Sequence, residues 1–240
     1  MKVDFMVTGQ GRSGTLWLAR LLNEGVESTT VFHEPCEQSD AGVYWKLYFG
    51  NAVPGRYFQK RTKRMGELAA RNPDKGFAEV NSYLRYCARE YERFFHCPIA
   101  AIIRDGRYVV RSMLKRDVYR SEDRPRISPV RDSQVASMWD DLSPLAKSSW
   151  YWADTYQRLS DLQVPIFRVE DLTERFSYVQ SLGKHLGVKI DRDVYEKKFQ
   201  GQRRHVSIDP KEPLRWSVEE TAQFLEFASD VQSKFNYPTE

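Results

Sequence analysis

The sequence predicts an α/β fold of three layers, with a central, mainly parallel sheet flanked by helices on both faces. Three observations carry that expectation. Short strand-like runs alternate along the chain with longer helical stretches. One run, Pro98-Ile99-Ala100-Ala101-Ile102-Ile103-Arg104, is almost continuously apolar, as a strand buried on both faces must be. The first run ends in glycines directly ahead of a helical segment, which spells strand, turn, helix.

Val3, Phe5 and Val7 alternate with other residues and stop at Thr8-Gly9, a strand closed by a flexible residue. Thr15 to Gly25 is rich in helix formers and ends in a glycine suited to the position after a helix. A short strand over Thr29 to Phe32 gives way to His33-Glu34-Pro35. Residues 55–72 read as a helix, and Phe77 to Val80 as a strand or an extended approach to a helix over 82–95. After the apolar strand comes a helix over 107–116. From 117 to 143 the composition shifts to charges, prolines and serines, the pattern of a mobile lid or acceptor loop. An amphipathic helix over 144–162, a strand over 165–169 and helices over 173–186, 191–199 and 217–236 follow, with an irregular basic stretch from 201 to 216.

With 240 residues and 41% apolar content, the chain can bury one sizeable core, so a single domain over 1–240 is expected. Lys and Arg number 37 against 33 Asp and Glu, a net charge of +4. That balance suits an anionic ligand and falls short of a nucleic-acid footprint. Cys36, Cys87 and Cys97 are odd in number and lack CxxC spacing, which argues against a disulfide framework or zinc site and for a reducing compartment. The first residues run straight into a strand, and no apolar run approaches the ~20 residues of a membrane span. The expectation is a cytoplasmic protein, monomer or homodimer, with no membrane or nucleic-acid partner.

Gly9-Gln10-Gly11-Arg12-Ser13-Gly14-Thr15 places glycines where a backbone must curl and present its amides to an anion, just ahead of the positive end of a helix. The phosphate loop of nucleotide triphosphatases requires G-x-x-x-x-G-K-[ST]. Gly9 and Gly14 meet the glycine spacing, but Thr15 and Leu16 replace the lysine and the magnesium-binding hydroxyl. Arg12 stands within the loop, where its guanidinium could fork onto an oxyanion. A glycine-rich turn with no ligand is the plainer reading of the same residues.

The run Gly11-Arg12-Ser13-Gly14-Thr15 and its apolar helix resemble the first motif of the sulfotransferases that use 3′-phosphoadenosine 5′-phosphosulfate (PAPS), enzymes with a P-loop-like fold. The resemblance implies that Gly11, Arg12, Ser13, Gly14, Thr15 and Leu16, with Trp17 behind, hold the 5′-phosphosulfate. It implies also that Arg12 stabilises charge on the bridging oxygen. A second stretch, Ile102-Ile103-Arg104-Asp105-Gly106-Arg107-Tyr108-Val109-Val110-Arg111-Ser112, is similar to the family's 3′-phosphate element, making Arg104 and Ser112 its ligands. Gly106 stands where a proline is common and Tyr108 where an aspartate is common, so a looser turn is expected. A strand-end ion pair of Arg104 with Asp105 or Glu170 is the alternative.

Phe167-Arg168-Val169-Glu170-Asp171-Leu172 resembles the family's next strand and acidic pair, and Glu170 and Asp171 read as structural. Arg203, Arg204, Arg215 and Trp216 fall where the family sets a basic loop and a tryptophan around the nucleotide. A solvated charge run is the competing reading there. The resemblance covers residues 5 to about 216, and 36–97 and 117–143 have no clear counterpart.

The implied reaction is transfer of the sulfuryl group of PAPS to a hydroxyl or amine of a small-molecule acceptor, leaving adenosine 3′,5′-bisphosphate (PAP), with no metal required. In-line displacement needs a base for the nucleophile's proton. His33-Glu34-Pro35 lies at a strand end near the loop, and Glu34 is favoured as base, with His33 its rival and Glu79 an outsider. A plain turn is the alternative for both leading residues. Asn81 could reach an acceptor or cap a helix. Tyr44, Trp45, Tyr48, Phe49, Tyr57 and Phe58 could line an acceptor pocket or belong to the core. Glu122, Asp123, Asp132, Asp140 and Asp141 could attract a cationic acceptor or simply solvate the loop. Two other functions fit the glycine turn: a nucleotide kinase or hydrolase with a degenerate loop, and a non-catalytic nucleotide-binding module.

Overall fold

A computed structural model describes residues 2–119, 127–129, 133–201 and 216–239. Arg203, Arg204 and Arg215, and the acidic residues Glu122, Asp123 and Asp132, lie outside the described residues. The chain forms two compact units, Met1–Ile103 with Leu159–His205, and Arg104–Arg158 with Val206–Glu240.

The elements in chain order are β1 (Phe5–Gly9), α1 (Thr15–Gly25), β2 (Thr29–His33), α2 (Glu37–Tyr48), α3 (Pro54–Ala69), β3 (Gly76–Val80), α4 (Ala88–Phe95) and β4 (Ile99–Ile103). They continue with α5 (Gly106–Leu114), α6 (Ser133–Met138), α7 (Pro144–Asp161), β5 (Ile166–Arg168), α8 (Val169–Glu174), α9 (Phe176–Leu186), α10 (Arg192–Lys198) and α11 (Val218–Lys234). Among the described residues, five strands lie in the first unit and form one sheet in the order β2-β3-β1-β4-β5, every pairing parallel. From β1 the chain moves outward to β2, returns to β3, and then crosses to β4 on the other side of β1. Open α/β sheets bind ligands at the carboxyl ends of the strands where such a reversal occurs, here beside β1.

Period-2 alternation sorts the sheet's side chains onto two faces. Phe5, Val7, Val31, Ala78 and Ile102 share the face covered by α1, α8, α9 and α10, which contribute Leu18, Leu172, Leu182 and Tyr195 to one buried cluster. Met6 pairs in register with Glu79 on the opposite face. Glu79 is there bonded by Arg61 of α3 and Tyr91 of α4. Phe58 of α3 packs against Tyr91 and Phe95 of α4, with ring centroids 5.3 and 5.8 Å apart. Each such apolar side chain contributes about 1.5–3 kcal/mol by leaving water.

The expected strands are all present, and four helical features differ. α2 is absent from the sequence reading because its segment, with Gly42 at its centre, has no clear apolar stripe and buries only Asp40, Leu47 and Tyr48. The helix expected over 82–95 is a 3-10 turn at Arg85–Cys87 and then α4. The helix expected over 173–186 is two, α8 and α9, separated at Arg175, whose φ of −129° is extended. Within 117–143, expected to be loop, α6 and a 3-10 turn at Trp139–Asp141 form.

In the second unit α5, α7 and α11 pack around Trp152, which is fully buried and lies 6.1 Å from Phe224 between ring centroids. Here the expectation of a looser turn at Gly106 is corrected. A Cβ on Gly106 would sit 2.8 Å from the Trp152 ring and 2.9 Å from Phe224, so close packing, not slack, requires the glycine. Asp105 tightens the same turn by accepting from the Arg107 amide at 3.0 Å and from Gln232 Nε2 at 3.0 Å. Among the described residues, no helix is long and apolar enough to cross a membrane.

Candidate active site

The glycine turn joins β1 to α1 in the first unit, at the carboxyl end of the strand beside which the strand order reverses. Its backbone is left-handed at Gly9 (φ 151°), Arg12 (φ 78°) and Gly14 (φ 92°). A Cβ on Gly9 would lie 2.5 Å from the carbonyl oxygen of Ile102, so only glycine fits. Such turns aim successive amides into one concavity, an anion nest. Among the described residues no side chain caps α1, and its ladder begins with Leu18 N donating to Gly14 O at 3.0 Å. The amides of Thr15, Leu16 and Trp17 precede that bond and carry the helix's partial positive charge. Ser13 is fully buried in the loop, and its amide donates to Gln10 O at 3.1 Å. This backbone fits a bound oxyanion.

Beside the loop stand the ends of β2 and β3. His33 Nε2 lies 3.1 Å from Thr15 Oγ1 and 3.9 Å from Glu34 Oε1. Glu34 follows β2 with φ 48°, a left-handed conformation that costs a non-glycine residue about 1–2 kcal/mol. Its amide donates to Val80 O at 3.0 Å, and its Oε1 accepts from Ser82 Oγ at 2.5 Å. Oε2 makes no hydrogen bond among the described residues. A Cβ on Gly11 would be 3.9 Å from Ser82 Oγ, so the glycine loop passes directly against the Glu34–Ser82 pair. Arg12, Thr15, His33 and Glu34, singled out in the sequence, thus converge with Gly11, Ser13 and Gly14 on one corner of the sheet.

Burial holds the His33 imidazole below its usual pKa, with Arg20 adding to the effect and Glu34 and Glu37 opposing it. His33 is therefore neutral near pH 7. The outsider Glu79 is removed from the base role. It is fully buried, both oxygens meet Arg61 at 2.8 and 2.7 Å, and Tyr91 and Asn81 also donate to it. Burial alone would raise its pKa, but these partners hold it below the usual carboxylate value. Asn81 neither reaches toward an acceptor nor caps α4. Its Nδ2 donates to Asp40 and Glu79 at 2.7 and 2.8 Å, and its Oδ1 accepts from Tyr83 N at 3.0 Å.

The aromatic residues divide. Tyr48 and Phe58 are core side chains, and Tyr57 donates its hydroxyl to Asp40. Tyr44 instead lies 5.9 Å from Tyr83 between ring centroids. Burial, with Glu34 and Glu37 next, pushes the Tyr83 phenol up to about 12, which sets this tyrosine pair near the candidate base.

The second unit carries Arg104 and Ser112. Arg104 directly follows β4, and its guanidinium lies 5.2 Å from the centroid of the Tyr108 ring. Ser112 is buried in the second turn of α5. Asp105 pairs with Arg107 at 2.7 Å. Trp216 packs edge-on against Phe224, with centroids 5.2 Å apart. In the first unit Asp171 joins Arg175 and Arg168, in keeping with a structural role.

The sequence reading missed Ser82 as a site residue, treating it as the start of a helix. The signal was its position two residues past a strand parallel to β1 and β2, because parallel strands bring their carboxyl ends to one edge.

No family model matches the sequence, and no curated protein matches it. Solved structures do match. A sulfotransferase domain from the curacin biosynthetic pathway aligns over 99% of both chains with a TM-score of 0.54 and 11% identity. The chain has a sulfotransferase fold. A sulfotransferase from Alicyclobacillus acidocaldarius aligns over 99% of this chain and 97% of its own with a TM-score of 0.52 and 15% identity. The mouse sulfotransferase SULT7A1, complexed with PAP, aligns over 98% of this chain and 87% of its own with a TM-score of 0.51 and 15% identity. Within this sulfotransferase fold, the glycine loop and the Glu34 carboxylate, bonded to Ser82, stand side by side. That pairing suits transfer of a group from an anionic donor to a protic nucleophile.

Proposed function

We propose that the protein is a sulfotransferase that takes its sulfuryl group from PAPS and passes it to a hydroxyl or amine of a small-molecule acceptor, with Glu34 as general base. One observation carries the reading: the Glu34 carboxylate, held by Ser82, abuts the glycine loop at the end of β1. Gly11, Arg12, Ser13, Gly14, Thr15 and Leu16 would hold the phosphosulfate. Arg104 and Ser112 of the second unit are the proposed 3′-phosphate ligands, on the strength of their motif. The PAP bound to the mouse neighbour supports the choice of nucleotide.

In the step, the acceptor oxygen or nitrogen forms a bond to sulfur as the bond from sulfur to the 5′-phosphate oxygen breaks. The bonding pair stays on the phosphate as PAP, and the acceptor's proton passes to Glu34. Arg12 and the first amides of α1 would stabilise the charge that the phosphate gathers. Oε2 of Glu34, outside the Ser82 contact, is the atom for the proton. His33, neutral and 3.1 Å from Thr15, orients the loop's first helical residue. Tyr44 and Tyr83 are the proposed walls for the acceptor. The lysine and hydroxyl that a kinase uses on a γ-phosphate and its magnesium are replaced by Thr15 and Leu16.

Calorimetry with PAP and AMP, together with transfer from radiolabelled PAPS to an acceptor panel, tests this. PAP should bind more tightly than AMP, transfer should persist in EDTA, and Glu34→Gln should keep PAP affinity while losing about 10²–10⁴ in turnover. Equal affinity for the two nucleotides, or activity lost in EDTA, would point to a kinase or hydrolase. PAP binding without transfer to any acceptor or to water would point to a binding module.

A further inference from the structure

We propose that Ser82 is a positioning residue for Glu34, holding the carboxylate against the glycine loop, and that Asn81 fixes Ser82 by anchoring the turn in a buried charge network. The proposal rests on the reading of Glu34 as base and adds how that base is aimed.

Glu34 needs such a device. Its left-handed backbone leaves the side chain at the end of a short turn, where rotamer freedom would let the carboxylate swing away from the loop. Ser82 Oγ donates to Oε1 at 2.5 Å, with the Ser82 amide at 3.4 Å from the same oxygen. One oxygen is thereby held and the other left for the proton. The contact is itself well fixed. Asn81, on one side of Ser82, receives Thr8 Oγ1 at its carbonyl at 2.8 Å, and its amide donates to Val7 O at 2.8 Å. Tyr83, on the other side, donates its amide to the Asn81 side chain. Arg85 donates to the Ser82 carbonyl.

The anchor extends inward. The Asn81 side-chain amide uses both hydrogens on Asp40 and Glu79, and Arg61 joins the same two carboxylates at distances between 2.7 and 2.9 Å. Asp40, Arg61, Glu79 and Asn81 are all essentially buried, on α2, α3, β3 and the residue just after β3. A fully satisfied buried network has one low-energy arrangement. It therefore presents the Ser82 hydroxyl at one place, next to Gly11.

The test follows sulfuryl release from radiolabelled PAPS, to water and to an acceptor panel, for wild type, Ser82→Ala, Ser82→Thr, Glu34→Gln and the double variant S82A/E34Q, with melting midpoints alongside. Ser82→Ala should lower kcat about tenfold, the scale of a lost hydrogen bond to a charged group, with the KM for PAPS unchanged. Ser82→Thr, which keeps the hydroxyl, should recover most of the rate. The double variant should be no slower than Glu34→Gln alone, because Ser82 acts only through that carboxylate. If Ser82→Ala turns over like wild type, or its loss multiplies that of Glu34→Gln, Ser82 is not positioning Glu34 although the base assignment stands. Wild-type turnover in Glu34→Gln would overturn both. Should Ser82→Ala fail to fold, Ser82→Cys, close in volume and a weak donor, takes its place with the same outcomes.

Discussion

The guanidinium of Arg61 meets both carboxylate oxygens of Glu79, Nη1 to Oε1 at 2.8 Å and Nη2 to Oε2 at 2.7 Å, between two buried side chains. Asp40 accepts from the same guanidinium through both of its oxygens. The helices α2 and α3 are thus tied to the middle of the sheet by charge, in a place where an unpaired charge would be costly. Removing the cation strands two buried carboxylates, so Arg61→Met should destabilise the fold by about 3–5 kcal/mol. A urea melt coinciding with wild type would show that the network does not form.

The same pair sets an acid limit on stability. Burial raises the Glu79 pKa, but Arg61, Tyr91 and Asn81 outweigh it, so the folded value lies below the unfolded value of 4.5. The unfolded chain then binds the proton more readily. The stabilisation is present above pH ~4.5 and is lost as pH falls through the folded value. Chemical melts between pH 3 and 7 should show this decline, and Glu79→Gln should lower stability at pH 7 while flattening the slope below 4.5. An unchanged slope would assign the acid limit to other groups.

Gly106→Ala provides a test in the second unit. The new methyl would meet the Trp152 ring at 2.8 Å and Phe224 at 2.9 Å, and Trp152 has no exposed side on which to yield. Overpacking of this kind costs about 1–3 kcal/mol, read as a lower midpoint in denaturant. A variant as stable as wild type would mean that Trp152 shifts freely.

The sheet and the loop were legible because their rules are local. A continuous apolar run from Ile99 to Ile103 can hardly be anything but a central strand, and glycines at 9 and 14 announce left-handed backbone. Glu34 was legible for its place at a strand end. Ser82 and the role of Asn81 were not, because their partners, Glu34 and Asp40, are 48 and 41 residues away in sequence and are brought to them by the parallel register of β2 and β3 and by the packing of α2. Gly106 shows the opposite error: a glycine read as slack is packed tight by Trp152 and Phe224.

Arg12 should matter for the donor more than for the fold. It lies within the loop at partial exposure, between the left-handed turns of Gly9 and Gly14. Arg12→Ala should weaken PAP binding and lower turnover by about 10²–10³, and Arg12→Lys should restore the charge without the planar fork and recover only part of it. Calorimetry and steady-state rates separate the two effects. Unaltered PAP affinity in Arg12→Ala would remove this guanidinium from the donor site.

Glu34 allows function and backbone strain to be separated at one position. At φ 48° an alanine keeps the Cβ penalty, whereas a glycine relieves it, and both lose the carboxylate and its bond to Ser82 equally. Glu34→Gly should therefore be more stable than Glu34→Ala by about 1 kcal/mol, although glycine normally costs stability through the entropy of the unfolded chain. Neither should transfer sulfuryl groups. The comparison is internal, so changes in the lost hydrogen bond cancel. If alanine proves the more stable, the left-handed turn is not held in solution, and the strain argument for Glu34 falls with it.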